Sequence, residues 1–263
     1  MASAETTWQR STAGTWNWTD GGNWIGGEAP GNPATDSVFI RPSNNTLLLN
    51  TPGDQTIGNG MMIFAAAGYT GELQFDLNTR RLIIDGADLV LDGSYSPPVN
   101  DIKVATFTNG TVQLGTEENA ASLVLGKEEG RNNFDHHLIL TFGTGSTLDS
   151  VNLEDLTIAS DAFYRARYFT LDLTAASLRS GATEKSLAVQ RDLMVGESDG
   201  LNGLADRNRE GVLSLGELSS FSVGRDFVVG QNQRPGTGNN VPFLTNGIVS
   251  WLEGTEEAVS FTV

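Results

Sequence analysis

Between Asp206 and Glu217 the run DRNREGVLSLGE sets oxygen-bearing side chains at the spacing of a calcium-binding loop. Asp206, Asn208 and Glu210 take its first, third and fifth positions, Gly211 the sixth, Ser214 the ninth and Glu217 the twelfth. Alternate oxygens can wrap a hard cation while the glycine permits the turn, so Asp206, Asn208, Glu210 and Glu217 are the candidate ligands of a calcium ion. The flanks are not those of a helix pair. GVLSLGELSSFSVG downstream alternates like a strand, and Arg207 and Arg209 fall between the ligands. The expectation is a loop-bound ion, and calcium is the one cofactor the residues suggest.

Other chemistry is sparser. GESDG at 196–200 fits the spacing of a serine nucleophile elbow, but both histidines, His136 and His137, precede Ser198, whereas that fold needs its histidine afterwards. GKEE at 126–129 has Glu where a phosphate-binding loop needs Ser or Thr for magnesium. Polar stretches carry Asp135, His136, Tyr164, Arg165, Arg167 and Asp199, the candidate ligand-facing positions. Carboxylates beside arginines are the raw material of a polysaccharide lyase or hydrolase, and this is the enzymatic alternative. No residue is assigned a catalytic role.

The elements that must position these groups emerge from a repeat. QTIG, DLVLD, SLVLG, DLTIA, DLMVG and DFVVG close on Gly58, Asp92, Gly126, Ala159, Gly196 and Gly230, at spacings of 34, 34, 33, 37 and 34 residues. Within each period, apolar residues alternate with polar ones: Leu73, Phe75 and Leu77; Leu138, Leu140 and Phe142; Phe169, Leu171 and Leu173; Leu213 and Leu215. A two-residue period in a repeat of this length predicts an all-β fold, a parallel β-helix of roughly six coils rising about 4.8 Å each. Four positions before each later anchor stand Asp88, Ser122, Asp155, Asp192 and Asp226. Stacked carboxylates repel, so they are expected in solvated turns, capping backbone N–H groups, with Arg191 and Arg225 relieving the charge.

Residues 1–55 stand outside this repeat and hold Trp8, Trp16, Trp18 and Trp24, which suits a capping segment that covers the first coil; residues 56–263 form the solenoid. The 16 basic and 32 acidic side chains give a net charge of −16, which excludes a binder of nucleic-acid phosphates. With no cysteine there is no disulfide frame, thiolate metal site or thiol nucleophile. No apolar run is long enough to cross a membrane. Ala2, Ser3 and Ala4 look like the remnant of a signal-peptidase site, which predicts export to the cell surface or beyond.

The opening TWNWTDGGNWIGGEAPGNPATDSVFI resembles the first segment of large bacterial surface proteins. GVLSLGELSSFSVGRDFVVG is similar to the Gly-rich β-helical repeats of autotransporter-type passengers. That resemblance implies a right-handed β-helix and an exported structural or adhesive protein, and it carries over no catalytic residues; surface carbohydrate is a separate candidate partner. Adding one repeat to Gly230 predicts that the seventh anchor strand completes at Val263. Its uncovered coil is expected to self-associate, on the N-terminal cap of another copy, or to continue into a longer chain.

Overall fold

The computed structural model describes residues 5–41, 44–65, 71–93, 102–126, 136–159, 167–196, 209–230, 245–252 and 260–262. Among them there is no α-helix, and none long and apolar enough to cross a membrane. The chain winds into a parallel β-solenoid of about six coils, with a mean spacing near 32 residues. Sheet A stacks Glu5–Thr7, Ser37–Ile40, Met61–Ala65, Asp88–Gly93, Ala121–Leu125, Leu153–Ile158, Leu193–Val195 and Phe227–Val229 in that order. Sheet B stacks Thr15–Asn17, Asn45–Leu48, Leu73–Asp76, Ile102–Thr108, His136–Phe142, Arg167–Asp172, Arg209–Glu217 and Thr245–Leu252. The stacking therefore begins inside the first 55 residues, at Ser37–Ile40 and Asn45–Leu48.

A third face is built in two pieces. Sheet C runs through Gln55–Ile57, Arg81–Ile84, Gly110–Leu114, Ser146–Asp149 and Ser177–Ser180, the last of which turns back on Thr183–Glu184 as an antiparallel pair. Sheet D then takes over with Ser186–Val189, Ser220–Val223 and Ser260–Thr262. One coil thus carries two strands on this face, one pairing with the coil before and one with the coil after. This insertion lies in the stretch that separates Ala159 from Gly196, the longest of the anchor spacings.

The alternating residues behave as strands with one buried face. Leu73, Phe75, Leu77, Leu138, Leu140, Phe142, Phe169, Leu171 and Leu173 have no exposed surface, and Leu213 and Leu215 have almost none. Parallel register puts each inward side chain beside its counterpart one coil away. Phe75 pairs with Phe107, and Phe107 with Phe142; both centroid separations are 5.1 Å, with planes inclined at 35° and 37°. These tilted stacks extend the burial of three large rings without a void between coils.

Five anchors lie along sheet A, where Leu91, Leu125, Ile158 and Val195 are fully buried. The first does not. QTIG belongs to sheet C, with Gln55 opposite Leu82, and the sheet A counterpart of Asp92 is Phe64. The two segments share an apolar pattern, and pattern alone does not name the face. The expected seventh anchor is displaced likewise: Ser260–Thr262 pairs with Ser220–Ser222 on sheet D and not along sheet A.

From Gly126 onward the anchor has a backbone reason to recur. Gly126, Ala159, Gly196 and Gly230 have φ of 87°, 54°, 68° and 67°, a left-handed corner at the exit from sheet A. A Cβ on Gly126 would lie 2.6 Å from Cε2 of Phe169 as well.

At the N-terminal end Trp8, Trp18 and Trp24 are buried to within 1% and meet edge to face, with Trp24 5.0 Å from Trp8 and 4.9 Å from Trp18. Trp24 Nε1 donates to the Trp18 carbonyl at 2.8 Å. Trp18 also lies 5.9 Å from Phe75, so the cap continues the aromatic stack of the core. The Trp cluster is thus a plug, and Trp16 alone stays part-exposed, with the Arg10 guanidinium 4.4 Å from its ring.

Two substitutions test this arrangement. Leu125→Asp places an unpaired charge in the core and should lower stability by several kcal/mol, whereas exposed Glu117→Ala should leave the melting temperature almost unchanged. Gly126→Ala should cost at least about 1–2 kcal/mol in left-handed strain, with the Phe169 contact adding to it. Equal melting shifts for Leu125→Asp and Glu117→Ala would contradict the inward assignment.

Candidate functional site

The densest charged constellation lies at the entrance to sheet A. Asp88 is in register with Ser122, and Asp155, Asp192 and Asp226 immediately precede the paired residues Leu156, Leu193 and Phe227. Asp155 and Asp192 each meet groups from the following coil. Asp155 accepts from Nε and Nη2 of Arg191 while its Oδ1 takes the Asp192 amide at 3.1 Å. Asp192 repeats this with Nε and Nη2 of Arg225, and its Oδ1 takes the Asp226 amide at 3.3 Å. Arg191 Nη1 adds Glu154 at 2.7 Å. The aspartates do cap backbone N–H groups and the arginines do neutralise them. Asp192 and Asp155 are not solvated, however, since their side chains are 6% and 17% exposed, whereas that of Asp226 is 61% exposed.

The electrostatics follow from this geometry. The hydrogen bond from Arg225 holds the Asp192 carboxyl below the ordinary carboxylate range; burial opposes the shift, and the Arg225 charge, the Asp226 amide and Arg191 reinforce it. Arg191 and Arg225 are held further into their cationic form, first by hydrogen bonds to Asp155 and Asp192 respectively. A carboxylate clasped as Asp192 is makes a poor general base, because its lone pairs are taken and its proton affinity is reduced. The ladder is a joint between coils.

A second buried carboxylate is equally occupied. Asp149 has no exposed surface; its Oδ2 accepts from Arg179 Nη2 at 2.6 Å and Nε at 3.2 Å, and its Oδ1 accepts the Gly181 amide at 3.1 Å. Asp149 raises the pKa of Arg179, first through its hydrogen bond. The pair pins the turn between Ser177–Ser180 and Thr183–Glu184, where sheet C gives way to sheet D.

Of the residues singled out for chemistry, those described, His136, Arg167, Glu210 and Glu217, lie on sheet B. Glu210 to Glu217, the fifth to twelfth positions of the calcium spacing, lie in the extended strand Arg209–Glu217, and Glu217 Oε1 accepts from Lys185 Nζ at 2.9 Å. Asp206 and Asn208 lie outside the described residues, as do Asp135, Tyr164, Arg165 and Asp199. So do the positions after Gly126 and Gly196 in the two glycine motifs. His136 and Arg167 occupy matching positions in adjacent strands of sheet B, followed by Arg209 in the next. One residue along, the His137 ring lies 6.1 Å from that of Tyr168, and its Nε2 is 2.8 Å from Thr170 Oγ1.

The sequence reading missed a groove of about 420 Å³ on the outer face of sheet A, walled by Phe39, Met62 and Val90 with Glu5 and Asp88 beside them. A signal was present: MMIFA puts Met62 and Phe64 at outward-facing positions where alternation calls for polar side chains.

Since the folded Asp192 carboxyl titrates below its unfolded value, the joint stabilises the protein above about pH 4 and ceases to do so as pH falls through the lowered value. Asp192→Asn should accordingly melt below the parent at neutral pH, with the two curves converging in acid. A gap that persists undiminished into strong acid would show that the ion pair is not its source.

No protein-family model, curated protein or solved structure matches this chain.

Proposed function

We propose that this chain is an exported structural or adhesive β-solenoid whose C-terminal end is an assembly surface. The carrying observation is the contrast between its ends. At the N-terminal end the edge of Glu5–Thr7 is covered: the Ile25 amide donates to the Thr7 carbonyl at 2.8 Å and the Gln9 amide to Asn23 at 3.0 Å. The edge of Gln55–Ile57 is covered by Ala34, whose amide donates to the Thr56 carbonyl at 2.8 Å.

At the other end, sheets A, B and D finish at Phe227–Val229, Thr245–Leu252 and Ser260–Thr262 among the described residues. Val229 is in register with Val195, which is fully buried, yet is itself 39% exposed. Phe227 and Val249, in register with buried Leu193 and Leu213, are only partly buried. Apolar side chains of core register on the last described strands favour association with another chain. The covered N-terminal edges weigh against a head-to-tail filament built on the cap. The Trp-rich opening and the Gly-rich repeats support the surface role through their resemblance to exported β-helical proteins.

Surface carbohydrate is the ligand class that the outer face of sheet B favours, because the His137 and Tyr168 rings stand beside the Thr170 hydroxyl there. A carbohydrate-active enzyme would need a pair of carboxylates converging on that face.

Light scattering across a concentration series tests the assembly surface. The mean mass should rise with concentration, and Val229→Lys should suppress the rise while lowering stability by no more than about 1 kcal/mol. A constant monomer mass for the parent would overturn the reading.

A further inference from the structure

The groove on the outer face of sheet A is framed by two rows of residues that run along the solenoid. Phe39, Met62 and Val90 stand in register, one per coil, at outward positions of their strands. Two residues earlier on the same stretches of chain come Ser37, Gly60 and Asp88, with Glu5 in register with Ser37 one coil before. The first row is an apolar wall and the second is polar and acidic. Two residues along a strand span about 6.6 Å, so both rows border one space of about 420 Å³.

Gly60 breaks the second row. Its φ of 87° is a left-handed turn, and it leaves no side chain between Ser37 and Asp88. On one side of this gap Ser37 Oγ donates to the Asn59 carbonyl at 2.9 Å and accepts from Asn59 Nδ2 at 3.3 Å, which leaves the hydroxyl one further lone pair. On the other side stands the Asp88 carboxylate. Glu5 lies farther along, its Oε1 held against the sheet by Thr7 Oγ1 at 2.6 Å.

This combination selects a class of ligand. The wall would remove an apolar body from water, and its phenyl ring and thioether favour an aromatic one. The second row offers negative charge on a chain of net charge −16, and no lysine or arginine lines the groove among the described residues. Three coil steps, about 14 Å, separate Glu5 from Asp88, too far for both to ligate one metal ion. Among the described residues no three side chains gather as metal ligands. Spread carboxylates beside an apolar wall suit an organic cation instead.

We propose that the groove binds a small aromatic amine, with its ammonium over Gly60 between Ser37 and Asp88 and its ring against Phe39 and Met62. The ammonium would meet the Ser37 hydroxyl and the Asp88 carboxylate, and the separation of the two rows is one that a linker of two or three carbons spans. A space of this volume, apolar on one side with a few polar groups on the other, has the make-up of a small-molecule site. The site is separate from the C-terminal assembly surface and does not depend on it.

The probe is phenethylamine, titrated into the full chain by calorimetry, with amide chemical shifts locating the contact. Phenethyl alcohol has the same body without the charge, and ethylamine has the charge without the ring. The amine should bind and should perturb Gly60, Met62 and Val90 first. The alcohol and ethylamine should each bind at least about fivefold more weakly. Asp88→Asn should weaken the amine about fivefold and leave the alcohol unchanged, a split that a misfolded groove would not produce. Met62→Lys, at a partly exposed position, should abolish amine binding with the melting temperature retained.

No binding of the amine, equal affinity for amine and alcohol, or equal losses of both ligands in Asp88→Asn would each overturn the site. Shifts confined to sheet B would do the same.

Discussion

Stacking at a single spacing governs this molecule. Each strand of sheets A and B hydrogen-bonds in parallel to its counterpart one coil away, so every side chain has its own equivalent as a neighbour about 4.8 Å above and below. For Phe75, Phe107 and Phe142 that repetition is favourable, because tilted rings at 5.1 Å fill the core continuously. For aspartates it is unfavourable, since like charges at such a distance repel by about 1 kcal/mol even in water and by more when half-buried. The arginines preceding Asp192 and Asp226 answer that repulsion, each set one coil later than the carboxylate it neutralises. One geometric rule thus selects aromatics inside and alternating charge at the sheet entrance.

The rule also confines irregularity to particular places. Within strands extra residues enter as bulges, as between Lys103 and Ala105, and elsewhere they enter where the chain leaves a sheet; the left-handed corners at Gly126, Ala159, Gly196 and Gly230 mark one such exit. The third face shows the other solution. Ser177–Ser180 and Ser186–Val189 belong to one coil, and Asp149 with Arg179 secures the turn that lets the chain shift from sheet C to sheet D. A buried ion pair of this kind contributes less through net attraction than through the penalty of leaving either charge alone, which suits a device that fixes one geometry.

Much of this was legible in the sequence. Alternation at Leu138, Leu140 and Phe142 named a strand and its inner face, and recurrence of the Asp positions located the joint between coils. Assigning a segment to a face was harder. QTIG and DLVLD look alike because any inward-facing strand of this core is an apolar alternation, and only pairing shows that Gln55 lies beside Leu82. The calcium spacing was legible as spacing; its later positions lie in the strand Arg209–Glu217, and Asp206 and Asn208 lie outside the described residues. The groove beside Phe39 and Met62 depends on outward positions from successive coils, which sequence separates by a whole turn. The Asp149–Arg179 pair escaped notice for the same reason.

The break in the third face has a mechanical meaning. Bonds between coils run along the axis of the solenoid, so a pull from end to end loads all the ladders crossing a given coil boundary at once. Sheets A and B transmit that load without interruption past Ser177 to Val189, whereas on the third face it must pass sideways from one strand to its companion. That sideways link consists of single contacts, such as the Ser180 amide to Ser186 Oγ at 3.0 Å and the Ala188 amide to Ser150 Oγ at 3.2 Å. Under tension the rod would yield first on this side, bending about the two unbroken faces, with Gly181 to Lys185 acting as its compliant seam.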